Sequence, residues 1–123
     1  MDLPIDLDRV RATLRAHGVT FALVFGSHAT GRARGESDVD LAVWSDRPLD
    51  DWTLRGELPD AVDLVDLRTA PQDLAGRVAL EGHVVLDDDP RTRIRWQADT
   101  RKRHLDEAFR REQFRRDFVR AHG

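Results

Sequence analysis

The sequence predicts an α/β (α+β) domain: a small mixed β-sheet with flanking helices, closed by a long C-terminal helix. Three observations predict it. Residues 19–25, VTFALVF, form an unbroken β-branched and aromatic run that ends in Gly-Ser. Two further apolar stretches, DVDLAVW at 38–44 and AVDLVDL at 61–67, are each interrupted by carboxylates. After Pro90 the chain turns into a charged run without glycine or proline until its last residue. Layered packing of helices on one small sheet satisfies all three.

Each element can be justified in order. Residues 6–17 carry Leu7, Val10 and Leu14 at helical spacing, with Asp6 as N-cap and Gly18 as the stop. The first strand follows at 19–25. A glycine-rich polar stretch, GSHATGRARGES, opens with a short helix over Ser27–Gly31. The second strand occupies 38–44. Residues 45–60 are polar, contain Pro48 and Pro59, and leave room for a short helix near Asp50–Gly56. The third strand spans 61–67. Pro71 opens a helix that ends at Gly82. Residues 83–86, HVVL, form a fourth short strand, and Asp87–Asp89 with Pro90 lead into a helix over 91–120. The three aspartates read as a loop and N-cap favoured by the helix dipole.

Composition narrows the function. At 123 residues the chain is one domain: a core over 1–89 and a C-terminal helix over 90–123 that packs on it. The core holds nine Arg against eighteen Asp/Glu, and the helix region reverses this with eleven Arg/Lys against five Asp/Glu. An acidic core repels a nucleic-acid template, so direct nucleic-acid binding is not expected. There is no cysteine, which excludes disulfides and thiolate chemistry. No apolar run reaches a membrane span and no basic-then-apolar leader opens the chain, so a cytoplasmic protein is expected.

The chemistry concentrates at strand ends. Gly26-Ser27 follows a buried strand, where glycine lets backbone approach a ligand and amides at a helix start can hold phosphate. Asp38 and Asp40, at i and i+2 in an extended segment, point to one face. Side by side they repel unless a cation lies between them, and Mg²⁺ takes such oxygen ligands. Asp63 and Asp66 fall on opposite faces of the third strand, so only one can join the pair; a lone buried carboxylate would be costly. Three carboxylates with a phosphate-holding turn make a two-metal phosphoryl-transfer centre. His28, Arg32 and Arg34 lie close enough in sequence to touch phosphates; the other four histidines show no metal-site pairing.

Gly26-Ser27, the GSxxxG form from Gly26 to Gly31, and the SDxDL form from Ser37 to Leu41 together resemble the minimal nucleotidyltransferase branch of the DNA polymerase β superfamily. The resemblance runs over residues 5–90. It implies a polymerase β-like fold with Asp38, Asp40 and Asp63 as catalytic metal ligands, Asp66 being the alternative third carboxylate. It implies nucleotide binding by Gly26, Ser27, Asp38 and Asp40. It further implies two Mg²⁺ ions, ATP as substrate, and AMP transfer to a hydroxyl, a tyrosine, of a partner HEPN ribonuclease toxin, with this chain as antitoxin. The chain has no tyrosine of its own to modify. Thr30 stands where relatives often carry arginine, which removes one phosphate contact. The alternatives are neutralisation by binding alone, with an unused site, and transfer to a small molecule of aminoglycoside type.

The C-terminal helix carries two apolar stripes. Ile94, Ala98, Leu105, Ala108, Phe109 and Val119 cluster on one side; Trp96, Phe114 and Phe118 cluster nearly opposite. One stripe is expected to pack on the sheet. The aromatic stripe of Trp96, Phe114 and Phe118 is expected to meet a partner or a second copy, unless a bend near Arg110–Gln113 folds both onto one core.

Overall fold

A computed structural model describes residues 2–33 and 38–122 of the chain. Its elements follow the predicted order: α1 (Leu7–Ala16), β1 (Val19–Phe25), α2 (Ser27–Thr30), β2 (Val39–Ser45), α3 (Asp51–Glu57), β3 (Val62–Asp66), α4 (Gln72–Glu81), β4 (His83–Asp87) and α5 (Pro90–His122). The caps at Asp6 and in the Asp87–Asp89 run are the ones the sequence names, and Asp50 is a third that the structure adds. Asp6 accepts from the Arg9 amide at 3.2 Å, Asp50 from the Thr53 amide at 3.2 Å, and Asp89 from the Thr92 amide at 3.2 Å.

The strands form one mixed sheet in the order β3-β2-β1-β4. β1 pairs antiparallel with β2 and β4, and β2 pairs parallel with β3. β1 is therefore flanked by strands on both sides and covered on both faces, which is why its seven residues read as one apolar run. On one face Val10 and Leu14 of α1 and Leu54 of α3 pack on Val24, Leu41 and Leu64. On the other, Val78 of α4 and Trp96 of α5 pack on Phe21, Leu23, Ala42 and Leu67. The Phe21 and Trp44 rings stack at 5.7 Å, and Trp96 lies against Phe21 at the same separation.

The Asp87–Asp89 run is consumed structurally. Asp87 takes a two-pronged bond from Arg93 (2.9 and 3.2 Å), Asp88 another from Arg15 (2.8 and 3.1 Å), and Asp89 caps α5. These contacts tie β4, α1 and α5 together.

The expectation for α5 needs correction. The helix is continuous, with no bend near 110–113. Trp96 faces its own core and not a partner. The stripe of Ile94, Leu105, Phe109 and Val119, expected to pack on the sheet, is instead exposed. The reason lies in α4, whose buried residues are small: Ala75, Gly76 and Ala79 beside Val78. Those small residues admit close approach, and the last-turn Ala79 carbonyl needs donors. Gln97 Nε2 and Arg101 Nε supply them at 3.5 and 2.7 Å. The buried face of α5 is therefore Gln97 and Thr100, which hydrophobicity alone does not mark. Phe114 and Phe118 are exposed, as expected. Among the described residues, no helix is long and apolar enough to cross a membrane.

Candidate active site at one end of the sheet

The end of β1 and the starts of β2 and β3 lie at one end of the sheet. Phe25 pairs with Asp40, and Asp40 pairs with Asp63 across the parallel ladder. Side chains alternate along each strand, so Asp40 shares its face with Ala42 and Trp44, and Asp63 shares that face with Val65 and Leu67. Asp63 and Asp40 thus stand side by side. Asp66 falls on the other face and accepts the Arg68 amide at 3.0 Å in the turn after β3. Of the two candidates for a third carboxylate, the register brings only Asp63 to Asp40.

Gly26 closes this corner from above. Its backbone sits at φ 73° and ψ −146°, a conformation side-chain-bearing residues avoid. A Cβ there would meet Asp40 Oδ2 at 2.2 Å. Glycine at 26 is thus required twice, by the turn and by the carboxylate beneath it. Ser27 then begins α2, whose residues Ala29 and Thr30 donate backbone bonds to the Gly26 carbonyl at 3.1 Å. The Thr30 hydroxyl donates to the same carbonyl at 3.2 Å, so it serves its own turn. His83 at the start of β4 contacts the Ala29 carbonyl at 3.0 Å and braces α2.

Electrostatics mark Asp40 as the centre. Partial burial first, then the charges of Asp63 and Asp38, push its carboxyl above the ordinary carboxylate range. His28 and Arg77 pull the other way. The half-buried His28 is thus near enough to Asp40 to favour its ionised form. Arg77, on α4, was not singled out from the sequence: nothing distinguishes one arginine in a helix until the fold lays that helix beside the site. Arg32 is exposed, and Arg34 and Ser37 lie outside the described residues.

Among the described residues, no three His, Asp or Glu side chains are drawn together tightly enough to hold a metal as they stand. The donor set nevertheless fits a hard divalent cation. It is all carboxylate oxygen, and Asp40 carries a repulsion that a cation would relieve.

Comparison with known proteins bears on this corner. Residues 9–91 match the family model described as Polymerase beta, Nucleotidyltransferase. No curated protein matches the chain. Among solved structures, a chain of a toxin–antitoxin complex with AMP-PNP is 24% identical, with TM-score 0.72, covering 94% of this chain and 99% of that one. A chain of the MntA–HepT toxin–antitoxin is 24% identical, with TM-score 0.69, covering 92% and 96%. A chain of a complex of tri-AMPylated Shewanella oneidensis HEPN toxin with MNT antitoxin is 22% identical, with TM-score 0.67, covering 92% and 95%. At these identities the likeness shows a shared fold. The family match spans both the Gly-Ser turn and the two strands that carry the carboxylates, and on it the chain belongs to the polymerase beta nucleotidyltransferase family.

Proposed function

We propose that the chain is a Mg²⁺-dependent adenylyltransferase that moves AMP from ATP to a hydroxyl, a tyrosine, of a HEPN ribonuclease toxin in the cytoplasm, and so acts as its antitoxin. One observation carries the reading. Asp40 and Asp63 are register partners on one sheet face, beneath a glycine whose Cβ would collide with Asp40. The family and the toxin–antitoxin complexes that share the fold, one with AMP-PNP and one with AMPylated toxin, support the substrate and the partner.

In this reading Asp38, Asp40 and Asp63 hold two Mg²⁺ ions. When bound, the ions neutralise the triphosphate and acidify the acceptor hydroxyl. Gly26 and Ser27 bring backbone and hydroxyl against the phosphates, while His28 and Arg77 add positive charge beside Asp40. The acceptor oxygen attacks the α-phosphorus, the bond to the bridging oxygen breaks and pyrophosphate leaves. The hydroxyl proton passes to Asp63, the exposed carboxylate of the edge strand.

Intact-mass analysis of the chain with a HEPN toxin, ATP and Mg²⁺ tests this. Adenylyl units should appear on the toxin and vanish with the Asp38→Asn/Asp40→Asn variant. Neutralisation that persists in that variant without any mass gain would establish binding alone.

A further inference from the structure

We propose that His83 is a positioning residue for the nucleotide turn: from the neighbouring strand its ring N–H holds α2, and so sets where the Ser27 hydroxyl stands against the phosphates. This role rests on the nucleotide-transfer reading and gives it a residue outside the carboxylate corner.

α2 is a single turn, Ser27–Thr30. One turn is unfavourable by itself, because its first hydrogen bond must fix several dihedrals. The bonds from the Ala29, Thr30, Arg32 and Ala33 amides end on the carbonyls of Gly26 and Ser27. They close the turn without deciding where it points. Gly26, at the entrance, permits the observed direction at φ 73° but does not enforce it, since glycine reaches neighbouring conformations at little cost. The direction of α2 must therefore be fixed from outside.

His83 is placed to fix it. It begins β4 and pairs with Val24 of β1, two residues before Gly26. Its own backbone has little room to drift. A Cβ on the preceding Gly82 would meet the Val78 carbonyl at 2.5 Å and Leu23 Cδ2 at 3.0 Å. From this rigid base the ring reaches the Ala29 carbonyl at 3.0 Å, 54 residues away in sequence. A carbonyl only accepts, so Nε2 carries the proton and donates. The carbonyl it meets lies at the C-terminal end of α2, where helix carbonyls lack partners within the helix. Without this bond α2 can swing about Gly26. Ser27 moves with it, and so does His28, whose charge acts on Asp40.

Two substitutions test the role. His83→Leu removes the donor, and His83→Gln returns an amide N–H at similar reach. The ring is exposed, so both variants keep the core, which the urea midpoint checks. In the full chain without nucleotide, His83→Leu should speed hydrogen exchange of the Ala29 and Thr30 amides about three- to tenfold by NMR, the range one hydrogen bond commands. Isothermal titration with Mg²⁺ and AMP-PNP should show Kd raised by a similar factor, because part of the binding energy now orders the turn. Saturating AMP-PNP should return the exchange to the parent rate, and His83→Gln should restore both exchange and Kd. Unchanged exchange in His83→Leu overturns the proposal. Faster exchange with an unchanged Kd also overturns it, since His83 then steadies the turn without serving the nucleotide. Failure of His83→Gln to restore either quantity overturns the hydrogen bond as the cause. A parent chain that does not bind AMP-PNP with Mg²⁺ overturns the transfer reading and this role with it, while the exchange rates still report separately whether His83 holds α2.

Discussion

Replacing Gly26 with alanine probes the closest contact in the proposed active site. The native φ of 73° with ψ −146° is a region nearly reserved for glycine, and forcing another residue there costs about 1–3 kcal/mol. The new Cβ would lie 2.2 Å from Asp40 Oδ2 and 3.2 Å from its Cγ. The carboxylate must therefore leave its place, and an off-rotamer aspartate costs a further ~1 kcal/mol. We expect a total loss of about 2–4 kcal/mol. Urea unfolding followed by tryptophan fluorescence reads this as a midpoint lowered by about 1–2 M. Transfer activity should fall about 100-fold, because a group displaced by about 1 Å no longer sits in line. A second substitution separates the two causes. In the Asp40→Ala background the collision is gone while the backbone strain remains, so the pair should show a coupling of about 1 kcal/mol. A Gly26→Ala protein within about 0.5 kcal/mol of the parent, or a coupling of zero, would refute the argument.

Three further outcomes follow from contacts already described. Asp40→Asn should raise the urea midpoint at neutral pH while abolishing transfer: the ionised carboxyl is penalised by burial, Asp63 and Asp38, and the amide is not. The penalty is present above the raised pKa and disappears as pH falls through it, so the gain should shrink when unfolding is measured near about pH 4. Gly76→Ala would place a Cβ 2.0 Å from the His104 ring, so α4 and α5 must separate at a cost of about 1–3 kcal/mol; His104→Ala in the same chain should recover only part of it by thermal unfolding, because the Cβ it keeps still lies 2.7 Å from the new one. Arg93→Ala removes the two-pronged, half-buried bond to Asp87, and should cost about 1–2 kcal/mol by chemical denaturation. A smaller loss would mean that the clamp between β4 and α5 is dispensable.

The sequence alone determined the order and type of every element, because each is punctuated by its own chemistry. Asp6 and Asp89 start helices by capping free amides, and the unbroken run at 19–25 states that β1 is covered on both faces. The two halves of the candidate site were legible as well, since Gly-Ser after a buried strand and paired carboxylates in an apolar strand are costly without a purpose. The tertiary structure decided what depends on partners distant in the chain. Periodicity puts Asp63 and Asp66 on opposite faces, but only the parallel register sets Asp63 beside Asp40. Arg77 enters the site because α4 crosses the sheet there. The orientation of α5 ran against its hydrophobic pattern. Both of its stripes are apolar enough to bury, and the choice fell to the small residues of α4 and the open Ala79 carbonyl, which reward a close polar face over a bulky one. Local signals act within one segment and so can be read from it; register and helix facing are settled by the surface on the other side of the contact.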